Sequence, residues 1–226
     1  MTTRAALTPN EIQKAEKLLA DYFSKHHNQN QLHRDTQEGE HEQDLFTKVL
    51  IHNSYPKDKD FLEFLHDKIW AIHESLRFGL LADIVRENSV DQIRTAFRNM
   101  LLNAPSISDA DSVLAVGKRP YLGVSILSEA LCKVYPDHFS IKNKRSEWAL
   151  YFILSNAGPD YIENEMSYSN FIAISWQIWS LIEHEYQHRK FSYDMHRRLW
   201  YVDRFYLWIY DRPETKQIMK VLGYRD

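Results

Sequence analysis

The sequence predicts an all-α protein, and three observations carry that expectation. Apolar residues recur at three- and four-residue steps in one segment after another, the period of a helix with one buried face. No run alternates at period two, and only Phe139-Ser140-Ile141 reads as a short extended link. Capping and breaking residues mark several of the segment ends.

Thr8-Pro9-Asn10-Glu11 opens the first helix: Thr8 caps, Pro9 fits the first turn, and Glu11 can reach back as in a capping box. Ile12, Ala15, Leu18, Leu19 and Tyr22 then form its apolar face. Between Asn28 and Gln43 apolar residues nearly vanish apart from Leu32, which predicts a polar, mobile loop at 28–43. The helical period resumes at Leu45, Phe46, Val49 and Leu50. A long helix is predicted from Asp58 to Phe78, with Leu62, Leu65, Ile69, Ile72 and Leu76 on one face. Ser89 caps another, Val90 to Leu102. A short helix beginning near Val113 gives way at Gly117 to a turn, and a further helix runs from Gly123 to Tyr135, stopped by Pro136. Asn143 to Leu154 follows, ended by the breaker Asn156-Ala157-Gly158-Pro159. Two aromatic helices, Ser169 to Lys190 and Ser192 to Tyr210, and a tail helix from Pro213 complete the chain.

With 226 residues, 44% of them hydrophobic, the chain is long enough to bury a sizeable core. The expected organisation is one multi-helix domain, made of an acidic part, 1–112, packed on a basic and aromatic part, 113–226. The first holds 13 basic and 18 acidic side chains and the second 15 and 13, so the formal net charge of −3 hides a −5 half and a +2 half. Near-neutrality excludes coating of nucleic acid by bulk charge but not a local basic edge. Neither GxGxxG nor the P-loop pattern occurs, which excludes nucleotide binding through those loops. Cys132 is the only cysteine, so a disulfide scaffold is excluded and a reducing compartment is expected. Met1 to Leu7 lacks a basic region followed by an apolar run, and no secretory signal is expected. Phe171 to Ile182, the most apolar stretch, is short of the roughly 20 residues that span a bilayer. The expectation is a soluble, cytoplasmic protein with no membrane contact.

Function points first to the segment where the chain turns basic. Lys118 and Arg119 follow Gly117 in a helix–turn–helix, where backbone N–H groups at a helix start can bind a phosphate oxygen without reading base sequence. Lys142, Asn143, Lys144 and Arg145 bring further cations to a second helix start, with Asn143 or Ser146 as its cap. These six residues are the candidate contacts to the DNA phosphate backbone. The alternative is a solvated surface, with Gly117 and Gly123 simply permitting positive φ in a tight connection.

The run from Gly123 through Ser128, Leu131, Tyr135-Pro136-Asp137, Phe139, Ile141, Asn143, Arg145 and Ala149-Leu150 resembles a helical module of McrB-type restriction proteins. That module has a Gly turn, a small-residue helix, P-D-x-F, an x-x-N-x-R step and another helix, and is similar to helix-hairpin-helix units of DNA-repair proteins. Tyr201-Val-Asp203-Arg-Phe205-Tyr-Leu207-Trp208 is similar to the module's D-x-F-L-W ending. The resemblance is firmest over 117–150. This chain departs from it in having no ATPase domain and no compact Gly-x-Gly hairpin. It implies a stand-alone module that holds nucleic acid in a bacterial antiviral defence, restriction or DNA-processing system, with no cofactor.

A second constellation, His184-Glu185-Tyr186-Gln187-His188, matches H-E-x-x-H within a predicted helix. His184 and His188 would share a face and ligate Zn²⁺, and Glu185 would act as general base on a metal-bound water. Asp194 is the available third ligand. The alternative function is therefore a zinc-dependent hydrolase, although Arg189, Lys190 and Phe191 fit poorly after the motif. On a helical wheel Glu185 falls among Phe171, Ile174, Ile178 and Leu181, where it would be a partly buried carboxylate paired with Arg or Tyr.

His26, His27, His33 and His41 read as solvated loop histidines, and Cys132 as a core thiol. The stretch Tyr186 to Tyr210 interleaves aromatics with Arg189, Lys190, Arg197, Arg198 and Arg204, which could stack unpaired bases. Leu199, Val202, Tyr206 and Ile209 instead suit a core face. Trp200, Tyr201 and Trp208 lie off that stripe, so a third reading is a helical adaptor that binds a protein partner through them.

Overall fold

Glu11 reaches back to Thr8, accepting from its backbone N–H at 2.8 Å and its hydroxyl at 2.9 Å, and α1 (Pro9–Lys25) begins there as expected. The computed structural model describes residues 5–25, 27–73, 79–154, 158 and 161–223. Among them the chain is all-α: no strand forms, and the one isolated bridge joins Arg119 to Leu122 within a turn.

The polar stretch 28–43 is the largest departure from expectation, because it is helix and not loop. Asn28 caps α2 (Gln29–Phe46), its side chain accepting from the Gln31 N–H at 3.0 Å. The face that packs inward carries Leu32, Asp35, Gly39 and Phe46, at helical spacing but with polar or small residues in two apolar positions. Each is fitted to a partner. The Asp35 carbonyl accepts from Trp200 Nε1 at 2.9 Å, and a Cβ on Gly39 would lie 3.0 Å from that same indole nitrogen. Gln43, one turn further on, donates to the Val134 carbonyl at 2.9 Å and accepts from Arg197 at 2.9 Å. A π-helical turn, Thr47–Ile51, carries the resumed apolar period.

The predicted helix 58–78 breaks early. α3 (Asp58–Lys68) ends at Ile69, whose φ of −98° and ψ of 104° are extended, and a single turn, α4 (Trp70–His73), follows. Residues 74–78 lie outside the described set. Gly79, at φ 86°, then turns the chain into α5 (Leu80–Glu87), which the periodicity did not reveal. Ser89 caps α6 (Val90–Asn103) in a full capping box with Gln92, as predicted. α7 (Ala110–Gly117) and α8 (Val124–Val134) form the expected pair around a turn.

Asn143 and Ser146 cap reciprocally at the start of α9 (Lys144–Ile153). Asn156, Ala157 and Pro159 of the predicted breaker lie outside the described residues. A π-helical turn, Tyr161–Glu165, leads to α10 (Tyr168–Arg189). The last long helix starts later than predicted: Asp194 caps a 3-10 turn, Met195–Arg197, before α11 (Arg198–Tyr210). Pro213 opens α12 (Pro213–Val221).

α11 is buried on nearly every side and lies against α1, α2, α8, α9 and α10. Trp200 and Tyr201 are buried, and Trp208 packs on Tyr22 and Phe205 at centroid distances of 5.3 and 6.0 Å. Of the three aromatics offered to a protein partner, Trp200 and Tyr201 are thus core residues, and Trp208 is half-buried against the core. His27 lies in the connection between α1 and α2, as expected, but it is not solvated. It is 2% exposed, between the Tyr22 hydroxyl at 3.0 Å and the Tyr186 hydroxyl at 3.2 Å, and burial lowers its pKa to about 4. Cys132 is fully buried, as expected. The main hydrophobic cluster draws on both 1–112 and 113–226, so the acidic and basic parts share a core.

The seat of Trp200 on Gly39 is testable by adding bulk. Gly39→Val is expected to lower unfolding free energy by about 1–3 kcal/mol, the usual cost of overpacking. Glu40→Val, on the exposed side of the same helix, should change it by about 0.5 kcal/mol, the scale of helix propensity. Urea titrations of the two variants that gave equal losses would contradict this seat.

Candidate functional site

The hairpin tip is built by a tight turn. Leu122 N–H donates to the Arg119 carbonyl at 3.0 Å, with Pro120 and Tyr121 at the corner. Pro120 fixes its own φ, and Tyr121 takes a φ of 62°, in the region that favours glycine or asparagine. Neither Gly117 nor Gly123 has positive φ, so the expected role for them is corrected. Gly117 is required by closeness, since a Cβ there would meet Met100 Sδ at 2.9 Å and Leu127 Cδ2 at 3.2 Å. Gly123 is the N-cap of α8, where no side chain caps the first turn. Lys118 and Arg119 stand exposed beside this helix start.

The second basic set does not share that surface. Lys142 is 5% exposed. Its ammonium donates to the Met166 carbonyl at 3.0 Å and the Glu163 carbonyl at 3.4 Å, and pairs with Glu147 at 3.7 Å. Burial pushes the Lys142 pKa down and the Glu147 pKa up to about 7. Asn143 is 1% exposed and is spent on capping α9. Both are therefore corrected from phosphate contacts to structural groups. Lys144 is half-buried in the first turn of α9, and the Arg145 guanidinium lies over the Trp70 ring at 4.2 Å. Sequence adjacency misled here because the link 139–143 is extended and α9 begins at 144, so neighbouring cations point to different surroundings.

The HExxH residues do lie on a helix, yet no metal set converges. The buried stripe of α10 runs Phe171, Ile174, Ile178, Ile182 and Tyr186, so Tyr186 and not Glu185 continues the core face. Glu185 pairs with Arg189 at 3.0 Å, and His184 and His188 are exposed. Asp194 is turned to Arg197 at 3.1 Å and to the His196 N–H at 2.9 Å. Among the described residues no three metal-binding side chains come together. The zinc-hydrolase reading loses the third ligand it named.

A site that the sequence did not announce lies where α2, α4, α8, α9 and α11 meet. A cavity of about 210 Å³ is lined there by Glu129, Lys133, Arg145, Trp200, Asp203 and Arg204, among others. Glu129 is 1% exposed and its carboxylate accepts from the N–H groups of Trp70 at 2.9 Å and Ala71 at 3.1 Å, so it holds the start of α4. Burial raises its pKa to about 7 against those two hydrogen bonds. Lys133 pairs with Glu42 and sits 5.4 Å from the centroids of both Phe46 and Trp200. Burial lowers its pKa to about 8. Arg204 lies 4.2 Å over the Trp200 ring and pairs with Glu38 at 2.9 Å. Asp203 is 7% exposed, and among the described residues it forms no ion pair and accepts no side-chain hydrogen bond. The signal for these groups was present: Glu129 and Lys133, four apart, interrupt an apolar helix, and Asp203-Arg204 interrupt an aromatic one. Charged residues inside otherwise apolar helices mark buried polar networks.

In comparisons with known proteins, no family model, no curated protein and no solved structure matches the chain. No helix among the described residues is long and apolar enough to cross a membrane.

The folded chain keeps a proton on Glu129 that an unfolded chain releases, because the folded pKa of about 7 lies above the ordinary 4.5. Stability from this group is full below pH 4.5 and is lost as pH rises toward 7. Glu129→Gln removes that loss. Unfolding free energies of variant and wild type should diverge in the variant's favour by roughly 3 kcal/mol across the window. Parallel curves in urea titrations over pH would show that Glu129 titrates normally.

Proposed function

We propose that the chain is a nucleic-acid-associated module that holds a DNA phosphate backbone at the tip of the α7–α8 hairpin. The observation that carries this reading is the start of α8, uncapped by any side chain and flanked by exposed Lys118 and Arg119. The N–H groups of a first helical turn have no partner within the helix and lie at the positive end of its dipole. Two exposed cations near such donors, one of them the Arg119 guanidinium that donates to the Lys118 carbonyl at 2.6 Å, make a contact that suits phosphate and does not read bases. The setting is a bacterial restriction, defence or DNA-processing system, a reading that rests on the resemblance of 117–150 to the McrB-type module. Lys142 and Asn143 drop out of the contact set because they are buried, and Arg145 because it lines a separate cavity, over the Trp70 ring, that Lys118 and Arg119 do not line. With a net charge of −3 the chain as a whole does not attract DNA, so affinity through the two cations of this tip is modest and sensitive to salt.

Fluorescence anisotropy with duplex DNA across a salt series tests the reading. A site with two phosphate contacts loses affinity with a log–log slope of about −2. Lys118→Glu with Arg119→Glu should abolish most of that slope and weaken binding equally for unrelated sequences. Both side chains are exposed, so folding is not at stake. Unchanged binding by the double variant, or none by the wild type at low salt, overturns the proposal.

A further inference from the structure

Among the described residues, two of the buried or half-buried charged side chains that line the cavity between α2, α4, α8, α9 and α11 make no ion pair and no side-chain hydrogen bond. Lys133 is matched by Glu42, Arg204 by Glu38, and Glu129 by two backbone N–H groups. Asp203 has no such partner although it is 7% exposed, and a buried carboxylate without one is costly. Across the same cavity the Arg145 side chain makes no hydrogen bond among the described residues and has only the Trp70 face beneath it. Asp203 and Arg145 both act electrostatically on Glu129 and on Lys133, yet they do not pair with each other. An open acceptor, Asp203, and an open guanidinium, Arg145, thus face a single space, beside the unpartnered Nε of Arg204.

We propose that this cavity binds a small amino-acid-like zwitterion, with its ammonium group on Asp203 and its carboxylate on Arg145. A simple cation would leave Arg145 unmatched, and a simple anion would leave Asp203 unmatched. A molecule carrying both charges satisfies the pair and adds no net charge to the site. The volume, about 210 Å³, lies below the range of drug-sized ligand pockets and suits a molecule of this kind. Glu129 is already engaged by two backbone donors, and burial raises its pKa, so it competes less than an ordinary carboxylate for the ammonium group. Trp200 forms a further part of the lining, and its indole is fixed by its bond to the Asp35 carbonyl.

The test uses the full chain, screened by thermal shift and titration calorimetry against free L-α-amino acids and a short series of unbranched ω-amino acids. Each hit is compared with the matching amine and the matching carboxylic acid. At least one zwitterion should bind saturably, with amine and acid at least about tenfold weaker, the worth of one charged hydrogen bond. Asp203→Asn and Arg145→Gln should each weaken that zwitterion by at least about tenfold. Asp203→Asn removes an unmatched buried charge, so its ligand-free unfolding temperature should equal or exceed that of wild type, which keeps the variant informative. Absence of any zwitterion binding overturns the proposal, as does an amine alone that binds as tightly, or unchanged binding by Asp203→Asn.

Discussion

The indole of Trp200 lying on Gly39 fixes the arrangement on which the rest depends. A Cβ on Gly39 would crowd the ring at 3.0–3.2 Å, and the Trp200 Nε1–H is already committed to the Asp35 carbonyl one turn earlier. The contact sets how closely α2 approaches α11. Once that distance is set, Thr36 meets the Tyr201 hydroxyl at 2.8 Å, Glu38 reaches Arg204, Glu42 reaches Lys133, and Gln43 bridges Val134 and Arg197. A helix almost devoid of apolar side chains is therefore held by shape and by a ladder of individually matched polar groups. Such groups are worth little singly, but each would be costly to leave unmade once desolvated.

That ladder explains what could be read from the residues in advance and what could not. Where apolar period and cap agree, as at Thr8–Glu11, Ser89–Gln92 and Asn143–Ser146, helices begin as the residues say. α2 escaped because its inward positions are Asp35 and Gly39, residues that local rules assign to loops. The break at Ile69 escaped for a related reason: the N–H groups freed there are taken by Glu129, which lies 59 residues from Trp70. Local sequence carries no trace of a partner so distant. Of the candidate site, the exposed cations Lys118 and Arg119 were legible because a turn between helices must lie at the surface. Lys142 was not, because its use depends on the carbonyls of Glu163 and Met166 from a later segment.

The two buried lysines show how the same side chain serves opposite ends. Lys142 meets carbonyl oxygens at the end of the π-helical turn and leaves nothing to offer a ligand, while Glu147 beside it is raised by its own burial and lowered in part by the Lys142 charge. Lys133 meets one carboxylate and two aromatic faces at the edge of open space. Arg145, Arg198, Arg204 and Arg212 each lie over a tryptophan ring, so much of the positive charge of the second half is spent on aromatic faces inside the chain. These four cations are thereby turned toward the protein's own rings, while Lys118 and Arg119 remain exposed.

Cys132, one residue before Lys133 and fully enclosed by α8's neighbours, gives the molecule an internal clock. Burial holds its thiol well above the usual range, so the reactive thiolate is absent while the core is closed. A thiol reagent can reach it only when helices part. Since Cys132 sits on the helix that touches both α2 and α11, the labelling rate of this one sulfur reports the opening of that joint and of the cavity beside it.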